Sequence, residues 1–301
     1  MGLHVIVGAG PVGSAAAREL VGLGHTVRIV TRRGQGPDHP GVERVAADAS
    51  DAARLTELAR GADALYNCAN PPYHRWPEMW PPLGAAFLTA AERTGAVLVT
   101  MSNLYGYGPV DGPMTEDLPL AAKNPKLLIR ARMWLDALAA HDAGRVRATE
   151  ARASDFIGAG TDSMFTTIVA PKVLAGRPAL VPANLDVPHT SSYSGDAGRT
   201  LAVLGTDERA WGRPWHVPSP EPTTVRRLGT RLAELAGGPP ARLRRMPAAV
   251  LRLGAFFSTD AREFWKVRYQ FARPFVLDSS AAQKTFGLEP TPIDDALRTM
   301  L

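Results

Sequence analysis

Cysteine is almost missing from this chain. Its single copy, Cys68, excludes an internal disulfide. Its place in "ALYNCAN", on what the pattern marks as a buried strand, makes it a small core residue rather than a nucleophile. Long apolar runs are missing too: no stretch reaches the roughly 18 residues that a membrane span needs. The opening run "LHVIVGAG" is short, contains a histidine and ends in glycines instead of a cleavage site. It predicts a strand, not a secretion signal, and with it a cytoplasmic protein without a membrane partner. The seven histidines lack the paired spacing of metal ligands, so no metal is expected. A net charge of +5 and a pI near 9.6 favour anionic partners in general. The arginines of "VRRLGTRL" and "ARLRRMPAAVLRL" nevertheless recur at helical spacing, the pattern of solvated faces, and no nucleic-acid partner is expected.

What the chain does have is alternation. The 301 residues can bury one large α/β core with a smaller lobe. Over the first two hundred, the β-rich runs "HVIVGA", "TVRIVTR", "VERVAAD", "ADALYNCA", "AVLVTMS" and "VRATEARAS" alternate with the helical patterns "SAAARELVGLG", "DAARLTELARG", "PPLGAAFLTAAERTG" and "LIRARMWLDALAAHDAG". These helical patterns end at glycines, as helix C-termini commonly do. Such alternation predicts βαβ units and a doubly wound parallel sheet with helices on both faces. After about Leu180 the sequence turns Pro-rich and less regular. The expected division is a dinucleotide-binding Rossmann domain over residues 1–180 and a mainly substrate-binding C-terminal lobe over 181–301, set at the carboxyl edge of the sheet where ligands of open α/β sheets bind.

The end of the first strand carries "GAGPVG", with Gly8, Gly10 and Gly13 spaced G-x-G-x-x-G. The first permits a tight turn, the second lets a pyrophosphate approach the backbone, and the third lets helix and strand pack closely. The helix that opens at Pro11 and Val12 offers unpaired N–H groups and positive partial charge to the phosphates. At the tip of the second strand no acidic residue stands ready for a ribose 2′-hydroxyl; Arg32 and Arg33 occupy that edge instead. Guanidinium groups there suit a 2′-phosphate, so NADP(H) is expected over NAD(H); the competing reading is that one or both arginines only face solvent. Asp48 is placed to bond the adenine amino group, with Ala49 beside the ring. "CANPPY", with Ala69 and Asn70, passes beneath the adenosine ribose toward the nicotinamide.

With "VIVGAGPVG", "AADAS", "LYNCANPP", "VTMSNLYGYGP" and "MTEDLP" in this order, the chain resembles the extended short-chain dehydrogenase/reductase superfamily, often called NAD-dependent epimerase/dehydratase. "PHTSSYSGDAGRTLAVL" resembles that family's segment returning to the core, here near residues 189–217. The resemblance implies a nucleotide-binding core, a C-terminal substrate lobe, and a catalytic Ser or Thr, Tyr and Lys. In this chain Met101 falls at the serine position, Lys126 at the tyrosine and Arg130 at the lysine. Ser102 and Asn103 adjoin the serine position, but neighbouring strand residues face opposite ways.

Lys126 and Arg130, four apart, share one helix face. In a desolvated pocket beside a fixed cation, a lysine loses its proton more readily and can act as acid or base near neutral pH. The resemblance offers a parallel in atypical reductases akin to isoflavone reductase. A solvated amphipathic face is the competing reading, and Tyr105 and Tyr107 are alternative donors. For the substrate pocket, "NPPYHRWPEMWPPLG" supplies Tyr73, His74, Trp76 and Trp80, and "RASDFIGAG" supplies Ser154 on the cofactor side with Asp155 and Phe156. Core packing would explain the tryptophans equally well.

The expected activity is NADP(H)-dependent reduction of a carbonyl or activated double bond of a small metabolite. The alternatives are isomerase, lyase or cyclase chemistry on the same scaffold, or a nucleotide-binding regulatory protein. The resemblance implies a homodimer through the helix carrying "RARMWLDAL", whose apolar face is its one support in the sequence.

Overall fold

In the computed structural model, which describes every residue except Asp260, strands and helices alternate as the hydrophobic periods dictate. The run is β1 (Leu3–Val7), α1 (Pro11–Gly22), β2 (Thr26–Thr31), β3 (Val42–Ala46), α2 (Ala52–Leu58), β4 (Ala62–Asn67), α3 (Trp76–Thr94), β5 (Val97–Asn103), α4 (Pro125–Asp142) and β6 (Ala148–Ala153). β7 (Asp155–Ile157), α5 (Ala170–Leu174), β8 (Ala179–Val181), β9 (Ser191–Tyr193), α6 (Ser194–Thr206), β10 (Pro214–His216), α7 (Val225–Leu235), β11 (Leu243–Arg245), α8 (Ala248–Phe257) and α9 (Thr259–Val267) follow. Short helices at Tyr269–Ala272, Ser280–Phe286 and Ile293–Arg298 complete the chain.

Seven parallel strands form the main sheet in the order β10-β6-β5-β4-β1-β2-β3. The chain winds outward from β1 in one direction and then from β4 in the other, so the crevice at their carboxyl ends is the switch point where open α/β sheets take ligands. Side chains alternate across the sheet. Val5 and Val7 of β1 face a core built with α2, α3 and α4. Ile6 faces the other, built with α1 and α6. α6 approaches α1 closely at Gly198, where an added Cβ would stand 2.5 Å from that of Ala15.

The returning segment places α6 under the sheet and β10 beside β6. The lobe's own core starts before residue 180: Ile157, Phe165, Val169 and Val181 pack with Val225, Leu228, Leu232 and Leu243. Residues from β7 onward therefore contribute to the lobe, and the boundary at 180 falls inside it. The reason is that β7 leaves the sheet direction and pairs with β9 instead.

α3 starts at Trp76, five residues before the apolar pattern at Pro81. Pro81 and Pro82 lie inside it, and each removes a donor from the helix. Burial of Trp76, Trp80, Leu83, Phe87 and Ala91 along one face offsets that loss. Among the described residues, no helix is long and apolar enough to cross a membrane.

Candidate active site

The carboxyl end of β1 is shaped by what its glycines leave out. Gly8 has φ +105°, and a Cβ there would come 2.4 Å from the Cys68 carbonyl oxygen. At Gly13 a Cβ would come 2.1 Å from the Gly8 carbonyl oxygen, so α1 sits against the turn as closely as backbone permits. Gly10 differs: nothing lies within 4 Å of an added Cβ, which leaves open space where the helix begins. Gly10 caps α1 without a side-chain partner, Pro11 fills the first turn, and no acidic residue stands there to neutralise the helix end. A cavity of about 520 Å³ adjoins this turn, lined by Ala9, Gly10, Ser14, Arg18, Thr31 and Gln35 among others. Val12 packs half-buried against the α1/α6 core.

Around this cradle the expected residues divide. Arg32 and Arg33 are exposed at the tip of β2. Asp48 spends one carboxylate oxygen on its own turn, accepting from Ser50 N (2.9 Å) and Ser50 Oγ (2.7 Å), and these bonds with the nearby Arg32 hold its carboxyl below the usual range. Ala49 is buried; Ala69 is half-buried and Asn70 exposed beyond the end of β4. Cys68 lies one residue past that strand, and burial pushes its thiol up to about 12, as befits a packing residue.

Among the described residues, two at the carboxyl ends of the strands carry buried polar atoms without a partner: the amide nitrogen of Asn67, aligned with Val7 at the switch point, and the hydroxyl of Ser154. Buried polar groups are normally bonded, so both are free to take a hydrogen-bond partner at this end of the sheet. Asn67 was invisible in the sequence, because it reads there as one more residue of a strand.

The second half of the site lies between α4 and the lobe. Asn124 caps α4 by accepting from the Lys126 backbone N–H (3.0 Å), which fixes Lys126 in the first turn. Its side chain is 7% exposed, stands 4.0 Å over the Tyr73 ring, and donates from Nζ to Glu263 Oε2 at 2.5 Å. Burial lowers the Lys126 pKa, and Glu263 only partly offsets it. Glu263 also accepts from Lys266 Nζ at 2.9 Å, and the two ammonium groups hold its carboxyl below the usual range despite burial. Lys126 and Glu263 are therefore an ion pair at neutral pH whose lysine proton is more easily lost than usual.

Arg130 does not tune Lys126 as expected. Its Nη2 donates to the Met101 carbonyl oxygen and its guanidinium lies 4.0 Å over Trp80. The charges that act on Lys126 are those of Glu263 and Lys266. Burial lowers the Arg130 pKa to about 10, and its Nε has no partner among the described residues. Arg130 thus braces the end of β5 from beneath, its charge opposed by Glu150 of β6.

Trp76 and Trp80 are corrected from pocket wall to core. They are 4% and 1% exposed, and Trp76 donates from Nε1 to the Pro71 carbonyl oxygen at 3.1 Å. Tyr105 is also corrected: it packs against Tyr73 and Trp76, and burial drives its hydroxyl well above the ordinary tyrosine value, which makes it a poor acid. Tyr107 is tied to Arg152 Nη1 (2.7 Å) and His216 Nε2 (2.8 Å) in a buried network. Ser102 is buried, and Asn103 Oδ1 accepts from Tyr105 N (3.1 Å), shaping the turn instead of facing a ligand. His74 is exposed and Phe156 packs half-buried on the α1/α6 core.

Asp155 remains at the mouth, with Oδ2 2.8 Å from Nε2 of His189, whose ring stacks between Phe271 and Phe275. Among the described residues, Tyr73 Oη, Tyr269 Oη and Gln270 Nε2 are buried without partners. Glu263, Tyr269 and Gln270 escaped the sequence reading because each stands far along the chain from the motifs, and His189, though inside "PHTSSYS", shows its partner Asp155 only in the fold.

A family model described as "NAD dependent epimerase/dehydratase family" matches residues 4–204. No curated protein matches the chain in sequence. Among solved structures, WbmH of Bordetella bronchiseptica in complex with NAD+ aligns with a TM-score of 0.75 at 18% identity, covering 100% of this chain and 97% of that one. UDP-glucuronic acid 4-epimerase from Bacillus cereus in complex with NAD gives 0.79 at 15%, covering 99% and 97%. dTDP-glucose 4,6-dehydratase from Bacillus anthracis in complex with NAD gives 0.78 at 14%, covering 99% and 96%. These identities speak for a common fold; the match over two thirds of the sequence goes further, and by it the chain belongs to the NAD dependent epimerase/dehydratase family.

Proposed function

We propose that this protein is an NADP(H)-dependent oxidoreductase acting on a carbonyl or activated double bond of a small metabolite, with Lys126 as the proton-transfer group. The residues present fit a dinucleotide: the bare space at Gly10, the uncapped α1 terminus and the unpartnered Asn67 and Ser154 groups supply what two phosphates and a nicotinamide end require. Gly8, Gly10, Gly13, Pro11 and Val12 would hold the diphosphate, and the exposed Arg32 and Arg33 a 2′-phosphate. When bound, such a cofactor supplies or takes up a hydride.

The chain's own contribution is the proton. Among the described residues Lys126 is the one buried lysine, and it sits on the helix beside the carboxyl end of β5. This observation carries the reading. Its ammonium holds a proton at Nζ for a substrate oxygen that gains electron density, Glu263 orients it, and burial makes the transfer feasible at lower pH than for a solvated lysine. Tyr73, Tyr269 and Gln270 offer polar atoms that position the substrate, and Asp155 borders the same space.

A second reading has one observation in its favour. The matched family is that of NAD dependent epimerases and dehydratases, two of the solved relatives named above are a UDP-glucuronic acid 4-epimerase and a dTDP-glucose 4,6-dehydratase, and all three are in complex with NAD. On that reading the hydride returns to the substrate and no net oxidation occurs. The test is to incubate the protein with NADPH or NADH and a panel of aldehydes, ketones, enones and nucleotide sugars. Stoichiometric loss of reduced cofactor supports the first reading. Sugar conversion without net cofactor change would replace it by the second, and failure to bind either cofactor would overturn both.

A further inference from the structure

The opposite end of the sheet holds a second cluster that the proposed reaction does not use. His4 of β1, His25 in the turn before β2, and Asp63 of β4 bring one ligand atom each to within 4.8 Å of one another. His4 Nε2 stands 3.1 Å from His25 Nδ1. His4 Nδ1 stands 2.9 Å from the Tyr66 hydroxyl. An ordinary pair of hydrogen-bonded histidines accounts for these two distances and for nothing else at the site.

The position of Asp63 needs a further cause. Strand pairing runs Leu3 to Ala62 and then His4 to Ala64, so Asp63 is an extra residue, bulged out of the β1–β4 ladder. A bulge re-aims the side chain it carries, and here it turns a carboxylate toward the two rings. Room for it comes from Gly2, where a Cβ would lie 1.6 Å from Asp63 Oδ2. A bulge in β4 and a bare Cα at Gly2 thus let two imidazole nitrogens and one carboxylate oxygen converge.

We infer that His4, His25 and Asp63 form a binding site for a divalent transition-metal ion of the zinc type, at the amino end of the sheet and separate from the nucleotide cradle. Two imidazoles and one carboxylate are borderline donors that suit zinc, while calcium and magnesium prefer all-oxygen sets. With metal–nitrogen bonds of about 2.0–2.1 Å, two nitrogens on a tetrahedral ion stand roughly 3.3 Å apart, close to the spacing of the two rings. Tyr66 is the outer partner that fixes the ring orientation of a ligating histidine: His4 Nδ1–H donates to its oxygen and leaves the Nε2 lone pair for the ion. His25 is half-buried and Asp63 exposed, so the fourth position opens to water. Sequence spacing could not reveal this set, because its members come from β1, the turn before β2, and β4, which meet only in the fold.

The experiment uses the full chain without an affinity tag, stripped of metal with a chelator, titrated with zinc by calorimetry and with cobalt by visible absorption. One-to-one binding and the visible bands of tetrahedral cobalt are expected. His25→Ala and Asp63→Asn, both outside the packed core, should each weaken zinc binding at least tenfold, and Tyr66→Phe by about tenfold. Near-native melting of the metal-free variants separates loss of a ligand from loss of fold. No saturable zinc binding by the native chain, or equal affinity in the His25 and Asp63 variants, would overturn the inference.

Discussion

The nucleotide cradle and the side-chain cluster around Lys126 are built by different means. At the cradle nearly all the shape is backbone: Gly8, Gly10 and Gly13 act through the side chains they lack, within six residues of one another. In the cluster the shape is side chain, with Lys126 paired to Glu263 across 137 residues and Asp155 to His189 across 34. A backbone site tolerates change in its surroundings and fails when a Cβ is added. A side-chain site fails when any one partner is lost.

The largest effect is therefore expected at the cradle. Gly13→Val places atoms within the 2.1 Å clearance to the Gly8 carbonyl, and should abolish nucleotide binding by calorimetry while costing about 1–3 kcal/mol of stability by overpacking. Retention of nucleotide affinity would show that the cradle is not the binding site.

Lys126→Met comes next. It should lower turnover at least about tenfold while nucleotide affinity stays within about twofold, since acid–base assistance is typically worth about 10²–10⁴ in rate. In the native enzyme the ammonium must be present to give its proton. Because burial lowers its pKa, turnover should fall as pH rises through a value below the ordinary lysine figure of about 10.4. The alkaline limb should vanish in the variant, measured by kcat/KM against pH.

Arg130→Met sharpens the contrast between the two residues on one helix face. Removing the guanidinium strips Trp80 and the Met101 carbonyl of their partner and should lower unfolding free energy by about 1–3 kcal/mol in urea. The alkaline limb should stay in place; a shift would mean that Arg130 acts on Lys126 after all.

The smallest expected effect distinguishes the cofactors. Arg32→Ala together with Arg33→Ala should weaken NADPH about tenfold and leave NADH within about twofold, read by fluorescence titration. Equal loss for both, or a native preference for NADH, would remove the 2′-phosphate from the proposed binding.

Local features carried much of this structure into plain view. Alternating β and helical periods placed β1 to β6 and α1 to α4, because each period matches the face its element buries. Trp76 and Trp80 resisted that reading: an aromatic residue after a strand lines a pocket or fills a core depending on what packs over it, and here α4 supplies Arg130. Tyr105 and Arg130 failed for the same reason, since their roles depend on the Tyr73 ring and the Met101 carbonyl.

By itself the sequence determined the winding of the sheet, the glycine-lined entrance of α1 and the presence of Lys126 and Arg130 one turn apart on α4. These follow from short-range sterics and from hydrophobic periods, which act between residues close along the chain. Only the tertiary structure decided that Glu263 partners that lysine, that Asn67 and Ser154 are left with unmet polar atoms, and that His4 and His25 meet a bulged Asp63. Electrostatic and coordination contacts depend on distance in space, and the folding of strands and lobe brings those groups together regardless of their separation in sequence.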